Sequence, residues 1–156
     1  MKILTPKEAK QKIQHYCAYQ ERSHQEVRDK LYAFGLHRAH VDEILTELIT
    51  DGFLSEERFA RAFAGGKFRM KKWGRIKISN ALEGKGVSAN CIRTGLKEIE
   101  EFEYLTALRG LLRQKFATVE DDNVFAVRDK ISKYAIQKGY EPELVWRELR
   151  ELVPVK

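Results

Sequence analysis

The segment GLHRAHVDEILTEL, Gly35 to Leu48, decides the fold, because its pattern returns as GVSANCIRTGLKEI at Gly86 to Ile99 and as GYEPELVWRELREL at Gly139 to Leu152. With the three glycines aligned, 51 and 53 residues apart, the next position holds Leu36, Val87 and Tyr140. The sixth holds Val41, Ile92 and Val145, the tenth Leu45, Leu96 and Leu149, and the thirteenth Leu48, Ile99 and Leu152. Eight before each glycine stand Val27, Ile78 and Ile131; four before stand Leu31, Leu82 and Ala135. Steps of three and four place such residues on one face of a helix. A glycine between two such runs ends the first helix cheaply, because it can adopt positive φ. Each copy therefore reads helix, glycine turn, helix, and a period of about 50 residues built of helices means tandem units, each too small to bury its apolar face alone.

Working outward, TPKE at Thr5 to Glu8 is a capping box with Pro6 at the first helical position, where its missing N–H costs nothing. Ser23 and Glu26 form a second box, Gly52 ends a further helix, and Pro142 starts the last one. No stretch alternates with the two-residue period of a strand. The expectation is about nine helices and no sheet: an all-α chain of three tandem three-helix, HTH-like repeats at 1–52, 53–100 and 101–156, forming an elongated array. The pentapeptide VRDKL at 27–31 echoes VRDKI at 127–131, but the glycine register sets Val27 opposite Ile131. The echo thus marks equivalent helices, the one in the third repeat longer by about a turn.

The 156 residues carry a net charge of +6, distributed unevenly. Between Glu56 and Asn80 stand Arg58, Arg61, Lys67, Arg69, Lys71, Lys72, Arg75 and Lys77 against Glu56 and Glu57 alone. If Ser55 to Trp73 is one helix, Arg58, Arg61, Arg69 and Lys72 share an arc of about 80° at about 100° per residue. Phe59, Phe63, Met70 and Trp73 share a separate apolar arc, and Phe68 falls near the basic one. Gly65-Gly66 is the obstacle, since two glycines weaken a helix interior. In the next helix Ile78 and Leu82 face inward, leaving Arg75 and Lys77 outside. Such a surface gains by releasing counterions from a polyanion, and interspersed aromatics can stack on bases.

Other chemistry has no signature. Phosphate loops, nucleophile elbows, HExxH and calcium loops are missing. Cys17 and Cys91 stand apart as small apolar helix residues, and His37 and His40, three apart without a third ligand, read as surface histidines rather than a metal site. No apolar run is long enough to span a membrane, and the start MKILTPKEAKQ turns polar too early for a secretory leader. The expectation is a cytoplasmic monomer with no cofactor, no metal and no catalytic residues.

The stretch DGFLSEERFARAF, Asp51 to Phe63, followed by KFRMKKWGRIKISNALEGKGV, Lys67 to Val87, resembles the RecX family of bacterial regulators of the RecA recombinase. Asp51, Phe59, Ala60, Gly74, Ile78, Leu82, Lys85 and Gly86 occupy that family's characteristic places. SHQEVRDKLYAFG at 23–35 and AIQKGYEPELVWREL at 135–149 are similar to it as well. The resemblance implies tandem three-helix units without enzymatic activity, bound within the groove of the RecA–single-stranded DNA filament and suppressing RecA's ATPase, strand exchange and coprotease functions. Double-stranded DNA stays open as a further partner. Two other readings also stay open: a general nucleic-acid-binding helical module unconnected with RecA, and a protein-only scaffold whose repeats dock helices.

Overall fold

The capping chemistry sets the helix starts in the computed structural model, which describes residues 3–155. The Glu8 N–H donates to Thr5 Oγ1 and the Thr5 N–H to Glu8 Oε1, both at 3.2 Å, opening α1 (Pro6–Tyr19). Ser23 Oγ accepts from the Glu26 N–H at 3.1 Å to open α2 (His24–Ala33), while Glu26 turns its carboxylate toward Lys85 instead of closing the second box. His37 precedes α3 (Arg38–Thr50), and Ser55 Oγ accepts from Arg58 N–H at 3.3 Å at the head of α4 (Glu56–Lys71). There follow α5 (Arg75–Gly84), α6 (Ala89–Leu96), α7 (Glu101–Thr118), α8 (Val124–Gln137, capped by Asn123) and α9 (Pro142–Leu152). These nine helices, and no strand, make up the regular structure of the described residues. Met1, Lys2 and Lys156, at the outer ends of the first and third sequence repeats and partly of the polar start, lie outside them.

The glycine register is a register of burial. Val27, Ile78 and Ile131 are fully buried, as are Leu31, Leu82 and Ala135; Val41, Ile92 and Val145 follow suit, and only Leu96 and Leu152 of the aligned set are half-buried. Gly35, Gly86 and Gly139 have φ of +90°, +79° and +102°, and Gly52 has +80°. At Gly86 and Gly139 the following amide reaches back to close the helix, Val87 N–H to Leu82 O at 3.1 Å and Tyr140 N–H to Ala135 O at 3.2 Å. As the register implies, α8 has 14 residues against 10 for α2.

Packing groups the chain into two units, Met1–Ala62 with Leu82–Gly95, and Phe63–Ala81 with Leu96–Lys156, so that α4 and α5 each contribute to both. In the first, Ala9 and Ile13 of α1, Val27 and Leu31 of α2, and Val41, Ile44 and Leu48 of α3 share one apolar core. Burying each of the larger side chains is worth about 1.5–3 kcal/mol. Within this unit Gly95 of α6 lies against Ala60 of α4, so close that a Cβ would come within 2.8 Å of the Ala60 backbone. Cys17 is a buried free thiol, pushed up in pKa by burial, and Cys91 a half-buried one.

In the second unit the rings of Phe68, Tyr104 and Tyr140 form a chain, with centroids 5.9 and 5.0 Å apart, continued by Leu108, Leu112, Ile131, Val145 and Leu149. Glu148, only 5% exposed, accepts from Arg109 Nε at 2.9 Å and Nη2 at 3.2 Å. Beside the ring chain, the loop between α4 and α5 is bonded to the turn between α8 and α9: the Gly74 N–H donates to Lys138 O at 2.8 Å and the Ile76 N–H to Gly139 O at 2.9 Å. The approach leaves no room for side chains, since a Cβ on Gly74 would lie 2.2 Å from the Gly139 carbonyl carbon and one on Gly139 would lie 2.3 Å from Lys77 Cβ.

Two expectations follow from this packing. Gly74→Ala and Gly139→Ala each destabilise by about 1–3 kcal/mol, read as urea-unfolding midpoints, because backbone must shift and Gly139 is also strained by its φ; Gly84→Ala, with open space at its Cβ, does not. The hydrogen bond from Arg109 holds the Glu148 carboxyl below its ordinary 4.5, so the stability it contributes is present above that value and lost as pH falls through the folded pKa. Accordingly, Glu148→Gln lowers the midpoint at pH 7 and narrows its difference from wild type at pH 3.

Candidate nucleic-acid interface

The eight cations of the basic segment are not equivalent. Arg58 and Arg61 belong to the first unit and the other six to the second. Arg58 fastens the head of α4, with Nε on Glu21 Oε1 at 2.9 Å and Nη2 on Gly52 O at 2.8 Å. Arg61 pairs with Glu57 one turn back at 2.9 Å. Arg75 is half-buried: Nη1 donates to Glu141 at 2.8 Å, Nη2 to Glu101, and its guanidinium lies 3.8 Å over the Tyr104 ring, whose hydroxyl accepts from the Arg75 N–H and donates to Glu141. Burial works against its charge, but the two carboxylates more than offset that and raise its pKa. Burial and Glu141 likewise push the Tyr104 phenol up, and burial pushes Tyr140 up to about 12.

Several sequence expectations are corrected here. The single helix keeps Arg58, Arg61 and Arg69 but loses Lys72, because α4 ends at Lys71 and Lys72 leaves it at φ +57°, its carbonyl accepting the Tyr140 hydroxyl at 2.9 Å. Gly65-Gly66 does not break the helix; Gly65 is buried and the Arg69 guanidinium folds over it. The apolar arc also turns out differently. Phe68, expected near the basic arc, is buried against Tyr104, whereas Met70, expected inside, is 85% exposed. Nor is the segment without acidic partners: Glu21, Glu101 and Glu141 reach it from other helices and loops.

What remains is a cluster in the second unit. Lys67, Arg69, Lys71, Lys72 and Lys77 hold no carboxylate among the described residues. Three of them surround the half-buried Trp73 ring, with Nζ of Lys77, Lys67 and Lys71 at 4.6, 5.0 and 5.9 Å from its centroid. Lys67 Nζ also lies 5.5 Å from the Phe63 ring, and Lys72 Nζ 5.6 Å from Phe68. Arg69 and Lys72 edge a shallow groove of about 270 Å³ floored by Phe68 and bounded by the exposed Phe102. Ammonium groups gathered on an aromatic face, unneutralised, suit an anion attached to a flat ring, which is the chemistry of a nucleotide. The cluster depends on Gly74 and Lys72, whose loop carries Trp73 out between α4 and α5. Sequence counting found the cations but not which were already paired. Elsewhere His37 and His40 stack at 4.3 Å, and no group of three metal-ligating side chains occurs among the described residues. No described helix is long and apolar enough to cross a membrane.

Fold and surface together define an all-helical protein built from tandem three-helix domains. The model of the first three-helix domain of RecX matches residues 9–48, and that of the second matches residues 55–96. The chain belongs to the RecX family. It is 23% identical over 137 residues to a regulatory protein RecX of Bacillus cereus, covering 88% of this chain and 51% of that one. To its counterpart from Halalkalibacterium halodurans it is 26% identical over 142 residues, covering 91% and 53%. The chain thus spans about half the length of the curated relatives it matches. Its fold is similar to the crystal structure of RecX from Lactobacillus salivarius, with TM-score 0.86 and 20% identity over 96% of this chain and 97% of that one. A crystal structure of regulatory protein RecX gives TM-score 0.83 and 17% identity over 94% and 71%.

The division of the cations has a measurable consequence. Arg75→Met strands Glu101 and Glu141 and lowers stability by about 2 kcal/mol in thermal or urea unfolding, as expected for hydrogen bonds to charged groups. Lys71→Glu, on the exposed end of α4, changes it by no more than about 0.5 kcal/mol.

Proposed function

We propose that this chain is a regulator of the RecA recombinase that binds the RecA–single-stranded DNA filament and suppresses its ATPase, strand exchange and coprotease activities, without catalysing a reaction of its own. Family membership supports the regulatory part, and the observation that carries the nucleic-acid part is the Trp73 cluster, three unpaired lysines on one ring. In this reading the protein is a cytoplasmic monomer of three repeats, 1–52, 53–100 and 101–156. The middle repeat meets DNA phosphates through Lys67, Arg69, Lys71, Lys72 and Lys77, with double-stranded DNA a weaker ligand of the same surface. Arg58, Arg61 and Arg75 support it from their ion pairs.

The test is RecA's single-stranded-DNA-dependent ATPase, titrated with wild type and with Lys67, Arg69, Lys71 and Lys77 changed together to Glu. Wild type lowers the rate, and the charge-reversed protein, folded by circular dichroism, needs at least about tenfold more to do so, with a shallower salt dependence. An unchanged rate with wild type at saturating DNA removes the RecA reading. If the reversal then weakens binding to bare oligonucleotide only, the protein is a nucleic-acid module independent of RecA.

A further inference from the structure

The first unit has a cation–aromatic cluster of its own, at the junction of α1 and α2. Arg22 lays its guanidinium 3.7 Å over the Tyr16 ring, held there by Nε donating to Tyr16 O at 3.0 Å, and stands 6.0 Å from the Tyr19 ring. Lys30 Nζ lies 5.5 Å from Tyr16 and 5.7 Å from Phe34. With Lys12 these residues line an open groove of about 480 Å³ into which no carboxylate projects. Tyr19 is 83% exposed.

Pairing sets these cations apart. In the same unit Lys10 holds Glu47 at 2.7 Å, Arg28 holds Asp42 at 2.9 Å and Arg58 holds Glu21 at 2.9 Å. Lys12, Arg22 and Lys30 hold no carboxylate among the described residues, so their charge faces outward beside three rings. The glycine register adds a second, independent observation. Tyr16 and Arg22 stand 19 and 13 positions before Gly35, and Lys67 and Trp73 stand 19 and 13 before Gly86. At both places the two positions form a cation–ring pair, with cation and ring exchanged. The third copy has Glu120 and Ala126 there and can form none.

We propose that Lys12, Tyr16, Tyr19, Arg22 and Lys30 form a second single-stranded nucleic-acid site, separate from the Trp73 cluster. An unstacked base lies on the Tyr19 ring, a second base or sugar rests against the Arg22–Tyr16 stack, and the flanking phosphates meet Lys12, Arg22 and Lys30. Stacking on aromatics and guanidinium planes tolerates any base, so the site reads strandedness rather than sequence. An acidic peptide would need the cations but has no use for a bare tyrosine ring.

The experiment uses the full chain, both wild type and with the second-unit reversal of Lys67, Arg69, Lys71 and Lys77 to Glu, so that the two sites are read separately. An oligothymidylate carrying 5-bromodeoxyuridine is photocrosslinked and the adducts are mapped by peptide mass. The expected adduct is on the peptide holding Tyr16 and Tyr19, and it persists in the reversed background. In that background Tyr19→Ala weakens oligonucleotide binding about tenfold by anisotropy, and Lys12→Glu with Lys30→Glu flattens the salt dependence. Tyr19 is solvent-exposed, so its removal leaves the unfolding midpoint in place. Absence of any adduct on that peptide overturns the proposal, as does Tyr19→Ala binding within about twofold of its parent. So does a polyglutamate peptide whose binding responds to the lysine reversals while the oligonucleotide's does not. None of these outcomes bears on RecA's ATPase, whose response tests the earlier reading on its own.

Discussion

The backbone contact between Gly74 and Gly139 is the constraint on which the second unit's arrangement rests. Two main-chain hydrogen bonds cross it, Gly74 N–H to Lys138 O and Ile76 N–H to Gly139 O, and no side chain fits between. Because Gly74 must lie flat on that turn, the chain has to leave α4 abruptly, which it does through the left-handed Lys72. The strain of a non-glycine residue there is met by the Lys72 amide on Phe68 O and the Tyr140 hydroxyl on Lys72 O. The same departure carries Trp73 clear of the helix and among Lys67, Lys71 and Lys77. A packing contact therefore sets the geometry of the proposed ligand surface.

Ion pairing performs a second sorting. Arg75 ties the start of α5 to the Tyr104 hydroxyl, to the part-buried Glu141 and to the exposed Glu101, and Glu141 is the partner that would be costly to leave alone. Arg109 with Glu148 does the same between α7 and α9. Once such pairs are removed from the count, part of the remaining charge is grouped. In each unit several unpaired cations lie on aromatic rings, where a π face offers partial compensation without neutralising them.

The sequence made the fold legible because helix ends obey local rules. Positive φ at Gly35, Gly52, Gly86 and Gly139, the Thr5 box and the two N-terminal prolines all depend on residues within one turn of each other. The buried faces of α2, α5 and α8 were legible for the same reason. The inward face of α4 was not. Phe59 and Ala60 pack in the first unit, Ala64 and Phe68 in the second, so the buried stripe drifts around the helix, and one wheel drawn for the whole segment points Phe68 out and Met70 in. The candidate site was half legible. Its cations were visible as an excess, but Glu21, Glu101 and Glu141 lie 26 to 66 residues from the arginines they bind, and a local charge count cannot see partners at that distance.

The aligned copies also separate what makes a repeat fold from what lets it bind. Positions at −8, −4, +1 and +6 from the glycine are apolar in all three copies and buried in all three, so they carry no difference among them. Positions −19 and −13 fall near the junction of the first and second helices and are not common core positions, although Tyr16 packs partly against the first unit's core and Ala126 lies inside α8. There the first copy has Tyr16 and Arg22, the second Lys67 and Trp73, the third Glu120 and Ala126. A cation–ring pair survives the exchange of its two members because the attraction needs one of each and not a given order. That tolerance explains how two copies hold the same interaction with opposite residues, and how the third, with a carboxylate in the pair, stands outside it on the same scaffold.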